Sequence, residues 1–144
     1  MDIVPAVAAD LGDVRRLLAA EGLPVSDLEG QFPAAYVVAR VGAELIAAAA
    51  LEAHGEVGLL RSVVVAAPHR GGGLARALVE NRLRAAGAAG LHRVYLLTTT
   101  APEYFARLGF ERVPRASAPP ALQRSSEFAS VCPGSAICMV ADPR

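Results

Sequence analysis

Apolar residues form two kinds of pattern along the chain, and each pattern predicts a different kind of element. Runs of valine, leucine and alanine between turn residues are typical of strands. In the first half of the chain such runs lie at Asp2–Ala6, Tyr36–Arg40, Glu44–Ala53 and Val57–Ala66. The last three are joined by short turns at residues 41–43 and 54–56, which predicts an antiparallel meander, and we expect the first run to be an edge strand.

Apolar residues three and four positions apart predict helices elsewhere. Asp10 is expected to cap a helix that carries Val14, Leu17 and Leu18 on one face and ends before Gly22. Further helical segments are expected at Ser26–Gln31, Leu74–Ala86, Pro102–Leu108 and after Pro119-Pro120, and further strands at Arg93–Thr98, Phe110–Val113 and Ala136–Ala141. The remainder of residues 114–133 shows neither period, so we expect it to be irregular.

A meander followed by a strand–helix–strand crossover predicts an α/β domain with one mixed, mostly antiparallel sheet flanked by helices. The length of 144 residues fits one domain, 1–144. In open sheets of this kind, ligands bind where the strand order reverses. We therefore expect a site at the loop between Val57–Ala66 and Leu74–Ala86.

Charge and composition narrow the class of function. The chain carries 14 basic and 14 acidic residues, whereas a nucleic-acid binder usually has a basic excess, so no nucleic-acid partner is expected. The longest apolar run, Leu45–Leu51, is too short to cross a bilayer, and the N-terminal region does not have the pattern of a signal peptide. We expect a cytoplasmic protein with no membrane partner.

The loop Arg70-Gly71-Gly72-Gly73-Leu74-Ala75 lies between a strong strand and a strong helix. Glycine lets the backbone approach a ligand closely, and the first turn of a helix offers N–H groups and a positive dipole end to a phosphate. The loop has neither the Lys-Ser/Thr pair of a P-loop nor the G-x-G-x-x-G spacing of a dinucleotide fold. A glycine turn without a ligand is the alternative, but the helix start has no Ser, Thr, Asp or Asn cap, which favours anion binding.

Two motifs connect this loop to a family. Residues 70–75 match the R/Q-x-x-G-x-G/A signature of the GNAT acetyltransferase superfamily. Residues 98–110 resemble its second motif, N-x-x-A-x-x-x-Y-x-x-x-G-F, with Thr98 at the asparagine position and Phe105 at the tyrosine position. The two motifs occur in the family's order and at its separation, so the chain is similar to this superfamily over nearly its whole length.

Within the superfamily, the second half of the chain is most similar to the small arsenic-resistance acetyltransferases. That resemblance rests on Leu60-Arg61-Ser62, Leu96–Thr100 and Ser126–Pro133. The chain resembles more loosely the acetyltransferase domain of enzymes that make N-acetylglutamate, through residues 96–99 and 104–110.

The resemblance implies a GNAT-like fold and an acyltransferase that uses acetyl-CoA as co-substrate, with no metal. It implies that the backbone of Val63 and Val65 pairs with the pantetheine arm and that a backbone N–H at Val64 or Val65 polarises the thioester carbonyl. One such donor lowers a barrier by about 3 kcal/mol. The residues implied to contact the cofactor are Val63, Val64, Val65, Arg70, Gly71, Gly72, Gly73, Leu74, Ala75 and Thr98.

The sequence identifies the general acid and the general base less directly than it identifies the cofactor site. Many GNAT enzymes protonate the leaving thiolate with a tyrosine at the position of Phe105, which leaves Thr98 or water for that role. Glu52 is the preferred base for deprotonating the ammonium, and a solvated carboxylate beside a turn is the alternative interpretation. His54 lies in a predicted turn, which is typical of a surface residue.

The candidates for acceptor binding are Arg61, Arg115, Arg124 and Cys132. Arg61 interrupts a run with the pattern of a buried strand, so it either clamps a substrate carboxylate or pairs with a protein carboxylate such as Glu52. The two arginines of the irregular segment either join a substrate pocket or are solvated. Cys132 and Cys138 form neither a disulfide framework nor a zinc motif; they either ligate a metalloid or are small buried hydrophobes.

These features predict acetyl transfer to the amino group of a small, amino-acid-like acceptor, and the resemblance alone adds arsenic-containing analogues. Two alternatives stay open. One is a CoA- or metalloid-binding sensor that has lost catalysis, which Phe105 favours, and the other is an acetyltransferase of protein N-termini or lysines. The expected partner is a small-molecule amine. The oligomeric state is left open, although GNAT relatives often form homodimers through edge strands.

Overall fold

The computed structural model describes residues 2–131 and 133–143. The strands are β1 Val4–Pro5, β2 Tyr36–Val41, β3 Glu44–His54, β4 Val57–Val65, β5 Arg93–Thr98, β6 Glu111–Val113 and β7 Ile137–Ala141. The helices are α1 Leu11–Ala20, α2 Leu28–Gln31, α3 Leu74–Ala88, α4 Pro102–Arg107 and α5 Pro120–Gln123. These bounds differ from the sequence-based expectations by a residue or two, the usual scatter at element ends. Within the described ranges, none of the helices has the length and apolar character needed to cross a membrane.

The seven strands form one sheet in the order β1-β2-β3-β4-β5-β7-β6. Strand β4 pairs with β5 in parallel, whereas the pairs β1–β2, β2–β3, β5–β7 and β6–β7 are antiparallel. Helix α3 connects the two parallel strands, which cannot be joined by a tight turn. The predicted fold class, an α/β fold with a mixed, mostly antiparallel sheet and flanking helices, is confirmed.

The chain divides into two compact units. The first contains the residues up to Leu51 together with Ser62–Arg82. The second contains Glu52–Arg61 together with the residues from Leu83 onward. Strands β3 and β4 therefore contribute residues to both units. The expectation of a single domain, 1–144, stays a prediction.

The first unit has two apolar clusters that share its strands. Val14 and Leu18 of α1 belong to the cluster that contains Val64. Leu78 of α3 belongs to the cluster that contains Val65. Neighbouring valines of β4 thus enter different clusters, as the alternation of side chains along a strand requires.

Asp10 lies at the predicted start of α1, but its side chain does not cap that helix. Its carboxylate accepts a hydrogen bond from the Val7 N–H at 2.9 Å and another from Arg40 at 2.7 Å. Burial raises the pKa of Asp10, but the bonds from Val7 and Arg40 outweigh burial, so the pKa lies below its usual value. Asp10 therefore fastens the start of α1 to β2.

One apolar cluster of the second unit lies between its strands and residues 114–131. The buried members of this cluster are Val57, Leu59, Tyr95, Ala118, Leu122, Phe128, Cys138 and Val140. The segment that was expected to be irregular therefore supplies part of the core.

The helical turn expected after Pro119-Pro120 is confirmed as α5. The irregular structure expected for the remainder of residues 114–133 is wrong at two places, because the segment also contains a 3₁₀ turn at Arg115–Ser117 and a π-helical turn at Glu127–Val131. Gln123 Nε2 donates to the Arg115 carbonyl oxygen at 2.7 Å, and the Phe128 N–H donates to Ser125 Oγ at 3.3 Å. Bonds of this kind stabilise short turns without leaving an apolar period in the sequence, so periodicity does not reveal them.

Ser62 interrupts the regular backbone of β4. Its φ of 59° lies in the left-handed region, which costs a residue with a Cβ about 1–2 kcal/mol. Its Oγ lies 2.9 Å from Oη of the buried Tyr36, and this hydrogen bond helps to hold the unusual conformation. The strained residue directly precedes Val63–Val65, the part of β4 that the resemblance assigns to the cofactor.

We expect Ser62→Gly to be more stable than Ser62→Ala by about 1 kcal/mol, because both lose the hydroxyl but only glycine adopts a positive φ without strain. Urea denaturation measures the difference. The matched control is Ser117, which is exposed and lies in a 3₁₀ turn, where alanine is expected to be at least as stable as glycine. A Ser62→Ala variant as stable as Ser62→Gly would show that the backbone there is not strained.

Candidate active site

Residues 70–75, which we call the glycine loop, connect β4 to α3 within the first unit. A 3₁₀ turn at Ala67–His69 follows β4, and α3 begins at Leu74. Gly71 and Gly73 have φ values of 87° and 84°, which other residues adopt only with strain. Among the described residues, no atom outside the adjacent chain lies within 4 Å of the place where either would carry a Cβ. The positive φ, and not crowding, is therefore what requires glycine at these two positions.

The start of α3 presents backbone donors at an exposed surface. The Gly73 carbonyl oxygen accepts from the Ala77 N–H at 3.0 Å, so the N–H groups of residues 74–76 precede the first bond of the helix. Residues 71–73 are exposed, and the first turn of α3 carries no acidic side chain. The helix has 15 residues and adds the positive end of its dipole. This arrangement suits an anion such as a pyrophosphate.

Arg70 braces the loop at the end of β4. Its Nε donates to the Val65 carbonyl oxygen at 3.0 Å, and its Nη2 pairs with Glu21. The side chain is 51% exposed, so the guanidinium can contact a bound anion while it holds the loop. The contacts with the cofactor that were assigned to Val63, Val64 and Val65 stay predictions.

Four side chains of the second unit, His54, Glu52, Arg61 and Glu127, form what we call the ionic cluster. Glu52 Oε1 lies 2.8 Å from His54 Nε2, and Glu52 Oε2 lies 3.2 Å from Arg61 Nη1. Arg61 Nε lies 3.5 Å from Glu127 Oε1. The exposed fraction is 19% for the side chain of His54 and 5% or less for the other three. The ionic cluster therefore runs from the partly exposed end of β3 into the interior.

The contacts of the ionic cluster distinguish the two interpretations of Glu52 and the two interpretations of Arg61. Glu52 is buried, so the interpretation as a solvated carboxylate beside a turn is wrong. Arg61 pairs with Glu52, as one of its two interpretations expected, and it also pairs with Glu127. A guanidinium held by two protein carboxylates has less capacity to clamp a carboxylate of the substrate.

Sequence reasoning missed two members of the ionic cluster. His54 was placed in a surface turn, whereas β3 extends to His54 and the imidazole lies against Glu52. The spacing contained a signal, because residues two apart in a strand share a face. Glu127 has no comparable signal, since its place depends on the π-helical turn at Glu127–Val131.

The second motif, residues 98–110, contains Thr98 and Phe105, the two residues considered for protonation of the leaving thiolate. Thr98 ends β5, and its Oγ1 accepts a hydrogen bond from the Ala101 N–H at 3.1 Å, which fixes the turn into α4. Phe105 packs edge-on against Tyr104 and Phe110, with ring centroids 5.6 and 5.9 Å apart. The phenyl ring of Phe105 has no proton to donate, so the catalytic roles of Thr98 and of water stay predictions.

Arg115 and Arg124 differ in their surroundings. Arg115 donates to the carbonyl oxygens of Phe128 and Pro133, each at 2.7 Å, and its guanidinium lies 5.4 Å from the centre of the Phe128 ring. These contacts clamp the π-helical turn. Arg124 is exposed at the end of α5. A role in acceptor binding stays a prediction for both.

The cysteines were candidates for metalloid ligation. Cys132 lies outside the described residues, so that prediction is not tested there. Cys138 is buried in β7, and burial raises the pKa of its thiol to about 11, although Arg115 acts in the opposite direction. The thiol of Cys138 is therefore protonated at neutral pH and is a poor ligand in that form. Among the described residues, no group of three or more His, Cys, Asp or Glu side chains is placed to hold a metal ion.

Solved structures of other proteins share this fold. N-acetylglutamate synthase from Neisseria gonorrhoeae, solved with coenzyme A and N-acetyl-glutamate, has a TM-score of 0.84 at 19% identity over 99% of this chain and 35% of that one. A protein from Mycobacterium tuberculosis solved with CoA has a TM-score of 0.81 at 20% identity over 99% of each chain. The ribosomal-protein-S18-alanine N-acetyltransferase from Escherichia coli has a TM-score of 0.72 at 17% identity over 98% of this chain and 92% of that one. The chain thus spans about a third of the N-acetylglutamate synthase.

The family is shown by the sequence itself. No curated protein sequence is similar enough to the chain to count as a relative. The acetyltransferase (GNAT) family, however, matches residues 13–110, which include the glycine loop and the second motif. Because this match covers most of the chain and the fold agrees with it, the protein belongs to the acetyltransferase (GNAT) family.

Proposed function

We propose that the protein transfers the acetyl group of acetyl-CoA to the amino group of a small, amino-acid-like acceptor. The observation that carries the donor half of this proposal is the loop at residues 70–75, where two glycines with positive φ lead into the start of a 15-residue helix. The acceptor half has support from N-acetylglutamate synthase, which was solved with N-acetyl-glutamate. We place this reaction in the cytoplasm, where the thiol of the free Cys138 stays reduced.

The first unit supplies the elements that bind the donor. The N–H groups at the start of α3 hold the pyrophosphate, and Arg70 contacts it from the side. The backbone of Val63 and Val65 pairs with the pantetheine arm as an added strand would, and the N–H of Val64 or Val65 polarises the thioester carbonyl. The strained conformation of Ser62 supports this assignment, since strained backbone clusters at functional sites.

The reaction joins the amine nitrogen to the thioester carbon and breaks the bond between that carbon and sulfur. The ammonium of the acceptor must first lose a proton, and we propose Glu52 as the base that takes it. The thiolate of CoA leaves and takes a proton from water or from Thr98, because Phe105 cannot donate one. A thiolate is a moderate leaving group, since free thiols have a pKa of about 8.5.

The class of acceptor is proposed from the structural neighbours and the family resemblance more than from contacts within this chain. Glutamate-like compounds and their arsenic-containing analogues are the candidates, through N-acetylglutamate synthase and through the resemblance to the arsenic-resistance enzymes. Arg124 is the exposed cation that we propose for binding the acceptor carboxylate. Arg61 is already paired with two carboxylates and is not proposed for that role.

A second candidate function is a CoA-binding sensor without catalysis. The observation that favours it is Phe105, which fills the position of the family's tyrosine and packs against Tyr104 and Phe110. A sensor binds acetyl-CoA saturably but releases no thiol with any amine. An enzyme of the proposed class releases one CoA thiol for each amino acid that it acetylates.

We expect acetyl-CoA at 100 times its dissociation constant to stabilise the wild-type protein by about 2.7 kcal/mol. Gly73→Ala is expected to abolish most of this gain, because a Cβ at φ 84° forces the loop to move. Gly90→Ala is the matched control: Gly90 has φ 79° and, among the described residues, equally open surroundings, but it lies outside the loop. Thermal unfolding with and without acetyl-CoA measures both. An equal acetyl-CoA shift in the two variants contradicts the proposed donor site.

We expect Glu52→Gln to lower kcat at least 100-fold and to leave the KM for acetyl-CoA unchanged, because the amide keeps the shape but cannot accept the proton. Thiol release from acetyl-CoA with a panel of amino acids measures both constants. The control is Glu56→Gln, which changes a carboxylate that is 80% exposed. A Glu52→Gln variant with more than half of the wild-type kcat excludes Glu52 as the base. Saturable binding without thiol release by the wild type supports the sensor.

A further inference from the structure

We propose that the second unit binds a small α-amino acid with an apolar side chain, in a cavity at the opposite end of β5 from Thr98. The cavity lies between the β3–β4 turn, the start of β5 and the start of α5, and its volume is about 450 Å³. Cavities that hold small ligands usually measure about 300–1,000 Å³. The inference does not depend on the proposed function, because no described residue that is assigned to acetyl transfer lines this cavity.

The cavity is separate from the part of β5 that is assigned to the cofactor. Arg93 begins β5 and lines the cavity, whereas Thr98 ends the strand. The strand rises by about 3.3 Å for each residue, so Arg93 and Thr98 lie about 16 Å apart along it. Arg124, which is proposed for the carboxylate of the acceptor, does not line the cavity either. A molecule in the cavity therefore occupies a second site.

Contacts within the fold hold the walls of the cavity in place. The His92 N–H donates to the Glu56 carbonyl oxygen at 2.8 Å, which joins the β3–β4 turn to the residue before β5. A Cβ at Gly55 would lie 3.4 Å from Cβ of Ala121, so the turn and α5 are little more than one methyl group apart. The cavity is thus formed by the fold itself and needs no ligand to create it.

The buried hydroxyl of Tyr95 indicates that a polar group of a ligand belongs in the cavity. Tyr95 lines the cavity and is 9% exposed. Among the described residues its hydroxyl has no hydrogen-bond partner, although the hydroxyl of a buried tyrosine usually has one. The oxygen is not sealed off from the surrounding space, so a molecule in the cavity can reach it. A group withdrawn from bulk water in this way favours a ligand that forms a hydrogen bond with it.

The charged side chains of the cavity match the two charges of an amino acid. Arg93 is exposed and has no carboxylate partner among the described residues, so its guanidinium is available to the carboxylate of a ligand. Arg93 and Tyr95 are two residues apart in β5 and therefore share a face of the strand. Glu56 is 80% exposed and lies 3.7 Å from Nε2 of His92, so its carboxylate can still accept hydrogen bonds from an ammonium group.

The remaining wall favours an apolar side chain on the ligand. Residues 119–121, two prolines and an alanine, form this wall together with Val57. Their side chains have no hydrogen-bonding groups, so a polar side chain placed against them would lose its bonds to water without replacement. His54 also lines the cavity, but its Nε2 lies 2.8 Å from Glu52 Oε1 and is occupied by that carboxylate. L-Leucine therefore suits the cavity better than L-glutamate, the candidate acceptor.

An NMR titration of the isotope-labelled full chain with L-leucine tests the site. We expect saturable shifts of the backbone amide signals at residues 54–57, 92–95 and 121, with a dissociation constant of about 1 mM. L-Leucinamide lacks the carboxylate and N-acetyl-L-leucine lacks the ammonium group, so we expect each to bind about 10-fold more weakly. L-Glutamate should also bind more weakly at these residues.

Two variants of the cavity and two matched controls test the contacts. We expect Arg93→Gln and Tyr95→Phe each to weaken the binding of L-leucine about 10-fold, because each removes a donor to the carboxylate and keeps most of the side chain. The controls are Arg84→Gln, at an exposed arginine of α3, and Tyr104→Phe, at a tyrosine of α4, since neither residue lines the cavity. Both controls should bind L-leucine as the wild type does.

Three outcomes overturn the proposal. The first is the absence of any saturable shift, and the second is a set of shifts centred on residues 98–110, which would place L-leucine at the other end of β5. The third is the same affinity in Arg93→Gln, Tyr95→Phe and the controls. If one variant fails to fold, the other variant and the two leucine analogues still decide. The titration needs neither acetyl-CoA nor turnover, so failure of the proposed acetyl transfer would leave its result unchanged.

Discussion

A guanidinium in a protein interior needs negative charge beside it, and Arg61 imposes this requirement on three segments of the second unit. Glu52 comes from β3, Arg61 from β4 and Glu127 from the π-helical turn. Removing one partner of a buried ion pair typically costs about 3–5 kcal/mol, because the remaining charge is left uncompensated. The position of the π-helical turn therefore follows from charge pairing as well as from the burial of Phe128.

The features that could be predicted from the sequence are those that local chemistry dictates. Apolar runs located the strands, and apolar residues at helical spacing located the helices, because most of these residues lie in the core. The glycines at positions 71 and 73 revealed the loop because their positive φ restricts the residue type. The match of residues 13–110 to the GNAT family agrees with the motifs in that loop and in residues 98–110. Each of these patterns involves only a few neighbouring residues, so it can be recognised in the sequence.

The features that could not be predicted depend on contacts between distant residues. Glu127 reaches Arg61 only because a π-helical turn places it there, and no period in the sequence marks such a turn. The left-handed conformation of Ser62 is likewise invisible in a run that is otherwise typical of a regular strand. His54 is an intermediate case, since its spacing from Glu52 was readable but the strand was expected to end one residue too early.

This difference explains why the donor is better defined than the acceptor. The proposed CoA site consists of backbone groups and the start of a helix, and the glycine positions in the sequence mark both directly. The side chains that we propose for acceptor binding and proton transfer depend on other side chains for their orientation, as Glu52 depends on Arg61 and His54. The roles of such side chains can be inferred only when their contacts in the folded protein are known.

The clamp formed by Arg115 has a consequence for how this chain can vary among its relatives. A segment with three short turns looks tolerant of insertions and deletions, as surface loops usually are. Yet Arg115 ties the backbone at Phe128, so the length of chain between Arg115 and Phe128 sets where Glu127 lies. A residue gained or lost between Arg115 and Glu127 would displace Glu127 from Arg61. We therefore expect a change of length in this segment to require replacement of the buried arginine as well.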